Sequence, residues 1–145
     1  FALAGSAWPA GEHAEGDCEG GSGTTAKTWV ARPQSGSTPI ALTRAAQPGV
    51  MDGTRTNLSD TYPRFSPFQQ KQGGGRLFWV TISSTRKGGL RDPGGNRWLW
   101  MFAIDPDKIA AGEDGSFAAF WLPFQDLSTS NHIGQWTQKI VVGPG

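Results

Sequence analysis

Asp60-Thr-Tyr-Pro-Arg-Phe-Ser-Pro-Phe68, followed after a glycine-rich turn by Arg76-Leu-Phe-Trp-Val-Thr-Ile-Ser-Ser84, decides the fold class of this chain. In the first half Tyr62, Arg64 and Ser66 alternate with Pro63, Phe65 and Pro67, which is the period of a strand. Proline has no N–H to give to a ladder. Two prolines in so short a strand therefore exclude a fully paired central position unless their nitrogens face away from a partner. The second half carries Leu77, Phe78, Trp79, Val80 and Ile82 in a nearly continuous apolar run, as expected of a strand buried on both faces. Residues 69–75, ending in three glycines, form the turn between them.

The same pattern extends on both sides. Residues 1–8 are apolar and small, fitting a buried strand, and residues 9–25 read as a long polar loop. Residues 27–32 alternate as a half-buried strand, Pro33-Gln-Ser-Gly36 is a turn, and Pro39-Ile-Ala-Leu-Thr43 is the return strand of a hairpin. Residues 44–60 hold Pro48-Gly49, Asp52-Gly53 and Asn57 with little apolar content, the composition of an exposed connection. Beyond the central pair, residues 85–96 are a basic, glycine-rich loop. Arg97-Trp-Leu-Trp-Met-Phe-Ala-Ile104 is a strand with aromatics on both faces, and Phe117-Ala-Ala-Phe-Trp-Leu-Pro-Phe124 and His132-Ile-Gly-Gln-Trp-Thr-Gln138 are two more. One helical turn is expected over residues 105–111, with Asp105 as N-cap and Pro106 at the first helical position.

Composition agrees with an all-β class. Within 145 residues there are 21 Gly, 10 Pro and 7 Trp and only 17% charged side chains, which favours short strands and many turns over helices. That length suits one domain or a piece of one. Starting at Phe1 without a signal pattern, the chain reads as a processed product or an internal segment. Thirteen basic against twelve acidic residues leave a net charge of +1, so no broad field recruits nucleic acid or an anionic membrane surface. No apolar run approaches the roughly 20 residues that span a bilayer. Cys18 stands alone between Asp17 and Glu19, which rules out an internal disulfide and a site of several thiolates, and its acidic neighbours discourage the thiolate.

Aligned by character, the strands repeat at about seventy residues. Phe1-Ala-Leu-Ala-Gly-Ser6 corresponds to Leu77-Phe-Trp-Val-Thr-Ile-Ser83, Lys27-Thr-Trp-Val-Ala31 to Arg97-Trp-Leu-Trp-Met101, and Ile40-Ala-Leu42 to Phe120-Trp-Leu122. Tyr62-Pro-Arg-Phe-Ser66 precedes one such trio and His132-Ile-Gly-Gln-Trp-Thr137 would precede the next. With Ser66-Pro67 closing the first strand, the chain resembles the C-terminal blades of a TolB-like (WD-type, Ser-Pro-containing) bacterial β-propeller, although Phe68-Gln69 stands where Asp-Gly usually follows. The resemblance implies β-propeller-like antiparallel blades: a partial blade over residues 1–60, a complete four-stranded blade over 61–126, and over 127–145 the first strand of a following blade and a tail. A ring needs four to eight blades and this chain supplies about two, so the missing blades of the same propeller, or other protein chains in a homo- or hetero-oligomer, are the expected partners. The resemblance further implies a noncatalytic structural or protein-binding module placed outside the cytoplasm: periplasmic, associated with the outer membrane or secreted. An accessory to a hydrolase or peptidase, and a carbohydrate-binding all-β domain, are the alternatives.

Candidate chemistry is sparse. His13 and His132 are too few for a three-histidine metal site, and no Gly-x-Ser-x-Gly elbow is present, so no catalytic residue, metal or cofactor is assigned. Two acidic clusters could offer oxygens to calcium, Asp52 with Asn57 and Asp60, and Asp105 with Asp107, Glu113 and Asp114. Neither has the spacing of a calcium loop, and turn or capping roles explain most of them. Arg86, Lys87, Arg91 and Arg97 make the densest positive patch and, with His132 on a loop edge, are the candidate partner-binding residues. The tryptophans of the strands are expected in the core rather than on a sugar-stacking surface.

Overall fold

The computed structural model describes residues 2–4, 26–49, 52–54, 58–87 and 96–137. They form an all-β, antiparallel structure of two sheets. Strands β1 (Ala2–Ala4), β2 (Trp29–Ala31) and β3 (Ile40–Ala41) make a three-stranded sheet in that order. Strands β4 (Thr61–Gln72), β5 (Gly75–Ser84), β6 (Trp98–Ile104) and β7 (Phe120–Trp121) make a four-stranded sheet, again in chain order. One short helix, α1 (Pro106–Ala110), lies between β6 and β7.

The β4–β5 hairpin is longer than the sequence suggested. Gly73 and Gly74 have φ of 53° and 87°, so the turn is two residues long and Gln72 already pairs with Gly75. Positive φ at both central positions is what a type I′ turn requires, and glycine meets it without strain. Polar residues 69–72, assigned to the turn by composition, are therefore drawn into the ladder. Pro63 and Pro67 fall inside the two register shifts of β4, between Thr61 and Arg64 and between Phe65 and Gln69. Each bulge places a proline where no ladder bond is needed, and β4 lies at the sheet edge. Tyr62, inside the first register shift beside Pro63, is held at φ 51°, a conformation a bulky side chain rarely takes.

The second half of β5 is enclosed on both faces from Val80 to Ser84, whereas its first half is only partly covered. It pairs without interruption with β6, from Phe78 opposite Ile104 to Ser84 opposite Trp98. The expected strand over residues 117–124 shortens to two residues. Single bonds from Phe117 N to the Ala103 carbonyl (3.0 Å) and from Leu122 N to the Leu99 carbonyl (3.2 Å) flank it, and Pro123 has no N–H to extend the ladder. Helix α1 forms as its caps dictate, with the Asp105 carboxylate accepting from Asp107 N at 2.9 Å and Lys108 N at 3.4 Å. Gly115 has to be glycine, because a Cβ there would lie 2.4 Å from the Asp105 carbonyl oxygen.

The core lies where the sheets meet. Val30 of β2, with Leu42 and Ala45 just past β3, packs in one cluster with Val80, Ile82, Trp98, Trp100, Phe102, Ile104 and Ile109. Residues 44–60, expected to be exposed, contribute to this interior: Ala45, Asp52, Leu58, Ser59 and Asp60 are all buried. Their polar composition misleads because Asp52 and Asp60 find partners inside, in Lys87 N and Arg86. Asp114 fastens the two sheets at one rim, accepting from Thr43 Oγ1 at 2.6 Å and Arg44 N at 3.1 Å, while Ser116 Oγ accepts from Ala45 N at 3.1 Å. Desolvation alone would raise the Asp114 carboxyl, but hydrogen bonds from Ser116, Thr43 and Arg44 together hold it below its ordinary value.

Where their strands correspond, the two sheets share one register. Val30 pairs with Leu3 and Ile40, and Met101 pairs with Thr81 and Phe120. Leu42 N donates to the Thr28 carbonyl at 3.1 Å as Leu122 N does to that of Leu99 at 3.2 Å. Asp60 N donates to the Ala26 carbonyl at 3.1 Å, and Asn131 N donates to the Arg97 carbonyl at 2.9 Å. This register sets Trp29 on Trp100, one residue away from the sequence alignment. A slip of one exchanges the faces of a strand, and only pairing and burial can settle it. Residues 132–137, expected to be a strand, enter no ladder. They lie flat on the second sheet instead: a Cβ on Gly134 would be 2.7 Å from Thr81 Oγ1, and Trp136 Nε1 donates to the Arg64 carbonyl at 3.2 Å.

Candidate functional site

The basic patch proposed from the sequence divides into an inside and an outside. Arg86 is 1% exposed and Asp60 2%, and Arg86 Nη2 meets Asp60 Oδ2 at 2.6 Å in an ion pair enclosed between the sheets. The same nitrogen donates to the Ala45 carbonyl at 2.7 Å, and the guanidinium carbon lies 5.4 Å from the centroid of the Trp100 ring. Burial pushes the Asp60 carboxyl up against the opposing pull of Arg86, and burial draws the Arg86 guanidinium down. Such a pair holds its surroundings in one arrangement, since either partner alone is a charge in a poorly solvating interior.

Arg97 is also buried, at 6% exposure. Its Nη1 donates to the Ser59 carbonyl and to Thr61 Oγ1, both at 3.2 Å, and its Nη2 donates to Ser59 Oγ at 2.9 Å. Ser59 sits at φ 51°, so Arg97 holds the unusual backbone that turns the chain into β4. Asp52 closes the same region by accepting from Lys87 N at 3.1 Å and Gly49 N at 3.1 Å. The sequence reading of Arg86 and Arg97 as surface contacts is corrected accordingly: both point inward because the 44–60 loop supplies carboxylate and carbonyl partners there. Lys87 and His132 do reach the surface, with the His132 ring edge-on to Tyr62 at 6.4 Å. Arg91 lies outside the described residues.

Five carboxylates of the acidic clusters are engaged by the chain itself. Asp60 is taken by Arg86 and Asp52 by backbone N–H groups. Asp105 caps α1, Asp107 pairs with Arg76 at 2.9 Å, and Asp114 joins the sheets. Asn57 lies outside the described residues. Among the described residues no group of three or more His, Cys, Asp or Glu side chains gathers, and no helix is long and apolar enough to cross a membrane.

What the sequence reading missed is an apolar face. On the second sheet Leu77, Trp79, Leu99 and Met101 point away from the core and are only partly covered, while Phe120 and Phe117 are 42% and 46% exposed. Trp79 stands edge-on to Phe120 with centroids 6.1 Å apart, and its Nε1 donates to Gln70 Oε1 at 2.7 Å. Charged groups border it, with Arg76, Asp105 and Asp107 sharing a groove with Leu77, Trp79 and Phe117. By contrast Trp98 and Trp100 are buried at 1% and 6% exposure, which removes them from any sugar-stacking surface. The signal for the face was present in the sequence, as alternate apolar residues on both sides of β5 and β6. In comparisons with known proteins, no family model, no curated protein and no solved structure matches the chain.

Proposed function

We propose that this chain is a noncatalytic, propeller-type structural and protein-binding module that acts outside the cytoplasm as part of a larger protein or complex. The observation that carries the reading is repetition. Two antiparallel sheets with equivalent registers stack face to face, and the second sheet turns a like face outward with nothing described against it but residues 131–137. A half-covered face bearing Phe117, Phe120 and Trp79 suits burial against another polypeptide, because large aromatics supply most of the energy at protein interfaces. Lys87 and His132, both exposed, are the described members of the candidate patch that can add polar selectivity. The extracytoplasmic placement follows from the resemblance to TolB-like propellers.

Site-specific photo-crosslinking tests this reading. A photoreactive residue at Phe120, and another at Lys87, is introduced in cells that make the protein. Adducts to a polypeptide are expected at Phe120. Recovery of folded protein with no polypeptide adduct at either position overturns the proposal.

A further inference from the structure

We infer that the outward face of the second sheet seats the first sheet of another copy of this chain, so that copies associate head to tail. The inference rests on the propeller-type reading above and names the partner of that same face.

Equivalent positions in the two sheets have different surroundings. Val30 and Met101 occupy the same place in the repeat, yet Val30 is 1% exposed beneath the second sheet and Met101 is only half covered. The positions equivalent to Ile40 and Thr28 are Phe120 and Leu99, and they too lie on the outward face. A face that already serves as an interface on one sheet is thus presented again on the next, where among the described residues only 131–137 lie against it.

The ends of the repeat are complementary. Asp60 leads into β4, which touches β1 and becomes the first strand of a four-stranded sheet. Asn131 makes the equivalent bond and leads into residues 132–137, which touch β5 at Thr81 yet pair with no strand. At the other end, β1 pairs only with β2 among the described residues, so the first sheet has three strands where the second has four. Among the described residues, then, one side of the repeat presents a leading segment paired with no strand, and the other a sheet whose β1 is paired on one side only. In a second copy, β1 can pair along residues 132–137 while the outward positions of β2 and β3, Trp29, Ala31 and Ala41, cover Met101 and Phe120. Edge pairing of this kind supplies main-chain hydrogen bonds, and the buried face supplies the apolar contact. The contact joins two different surfaces, so repetition closes into a ring or runs on as a filament.

Native mass spectrometry and sedimentation of the full chain over a range of concentrations test the inference. Wild type is expected at multiples of 15.5 kDa. Met101→Lys blocks the seat and Trp29→Lys blocks the surface that enters it, so each alone should weaken association at least about tenfold, an interface-anchor effect. Mixed together, the two variants should form a 1:1 heterodimer and nothing larger, because each retains the surface the other lacks. Should circular dichroism show either variant unfolded, Phe120→Lys and Ala31→Lys block the same two surfaces. Wild type that stays monomeric throughout, or a mixture of folded variants that yields no heterodimer, overturns the inference. Phe120 adducts to a different protein also overturn it while leaving the proposed function standing, whereas the absence of any adduct removes both.

Discussion

Adjacent residues of β6 live in different environments. Phe102 is 0% exposed and packs against the first sheet, while Met101 faces outward and is half covered. Both are apolar and both sit in a fully paired stretch. The same contrast separates Val30 from Met101, which share a position in the repeat. Burial here is conferred by the neighbouring sheet and not by the strand itself, so the same face repeated on the second sheet is left partly exposed.

Substitutions can break this contrast in order of size. Phe102→Ala should cost about 3–5 kcal/mol and Met101→Ala about 1 kcal/mol or less in the monomer, read from urea unfolding midpoints, since only the former opens a cavity between the sheets. Equal losses would mean that the outward face is already enclosed. Asp60→Asn should cost about 3 kcal/mol by leaving Arg86 charged and unpaired in the interior, and pairing it with Arg86→Met should restore much of the loss. Additive losses in that cycle would show that the pair is not the source of the effect. Gly134→Ala should destabilise by about 1–2 kcal/mol through the contact with Thr81, with partial rescue by Thr81→Ala; a neutral result would detach residues 132–137 from the sheet.

A smaller effect concerns acid. The Asp114 carboxyl is held below its unfolded value, so its contribution is complete above the unfolded pKa of about 3.9 and is lost as pH falls through the lower folded value. Thermal melts of wild type should decline more steeply below that pH than melts of Asp114→Asn, and parallel profiles would remove Asp114 from the rim that joins the sheets. Smallest of all is Arg76→Ala: its pair with Asp107 is more than half exposed at both ends, so stability should change by less than about 0.5 kcal/mol. A larger loss would reveal that Arg76 supports the groove beside Trp79.

Features governed by a residue's own backbone were legible in advance. The Asp105-Pro106 cap starts α1, the glycines turn β4 into β5, and the prolines of β4 mark edge pairing, because caps, positive φ and a missing N–H act within a few residues. The order of strands and the rough repeat were also readable. The register was missed by one residue, since Trp98, Leu99, Trp100 and Met101 are apolar on both faces and carry no alternation to fix it. Residues 44–60 and the inward course of Arg86 and Arg97 were missed for a related reason: polar residues in a loop look solvated until their partners are known.

By itself, then, the sequence determined an all-β chain with the strands of its two sheets in the right order, the turn from β4 to β5, the capped helix α1 and an excess of apolar faces. Tertiary structure alone decided that Asp60 and Arg86 neutralise one another in the interior, that Val30 is covered and that Met101 is left outward. Local conformation depends on the covalent chain near each residue, whereas burial and charge pairing depend on which distant segments arrive beside it, and no spacing in the sequence encodes that encounter directly.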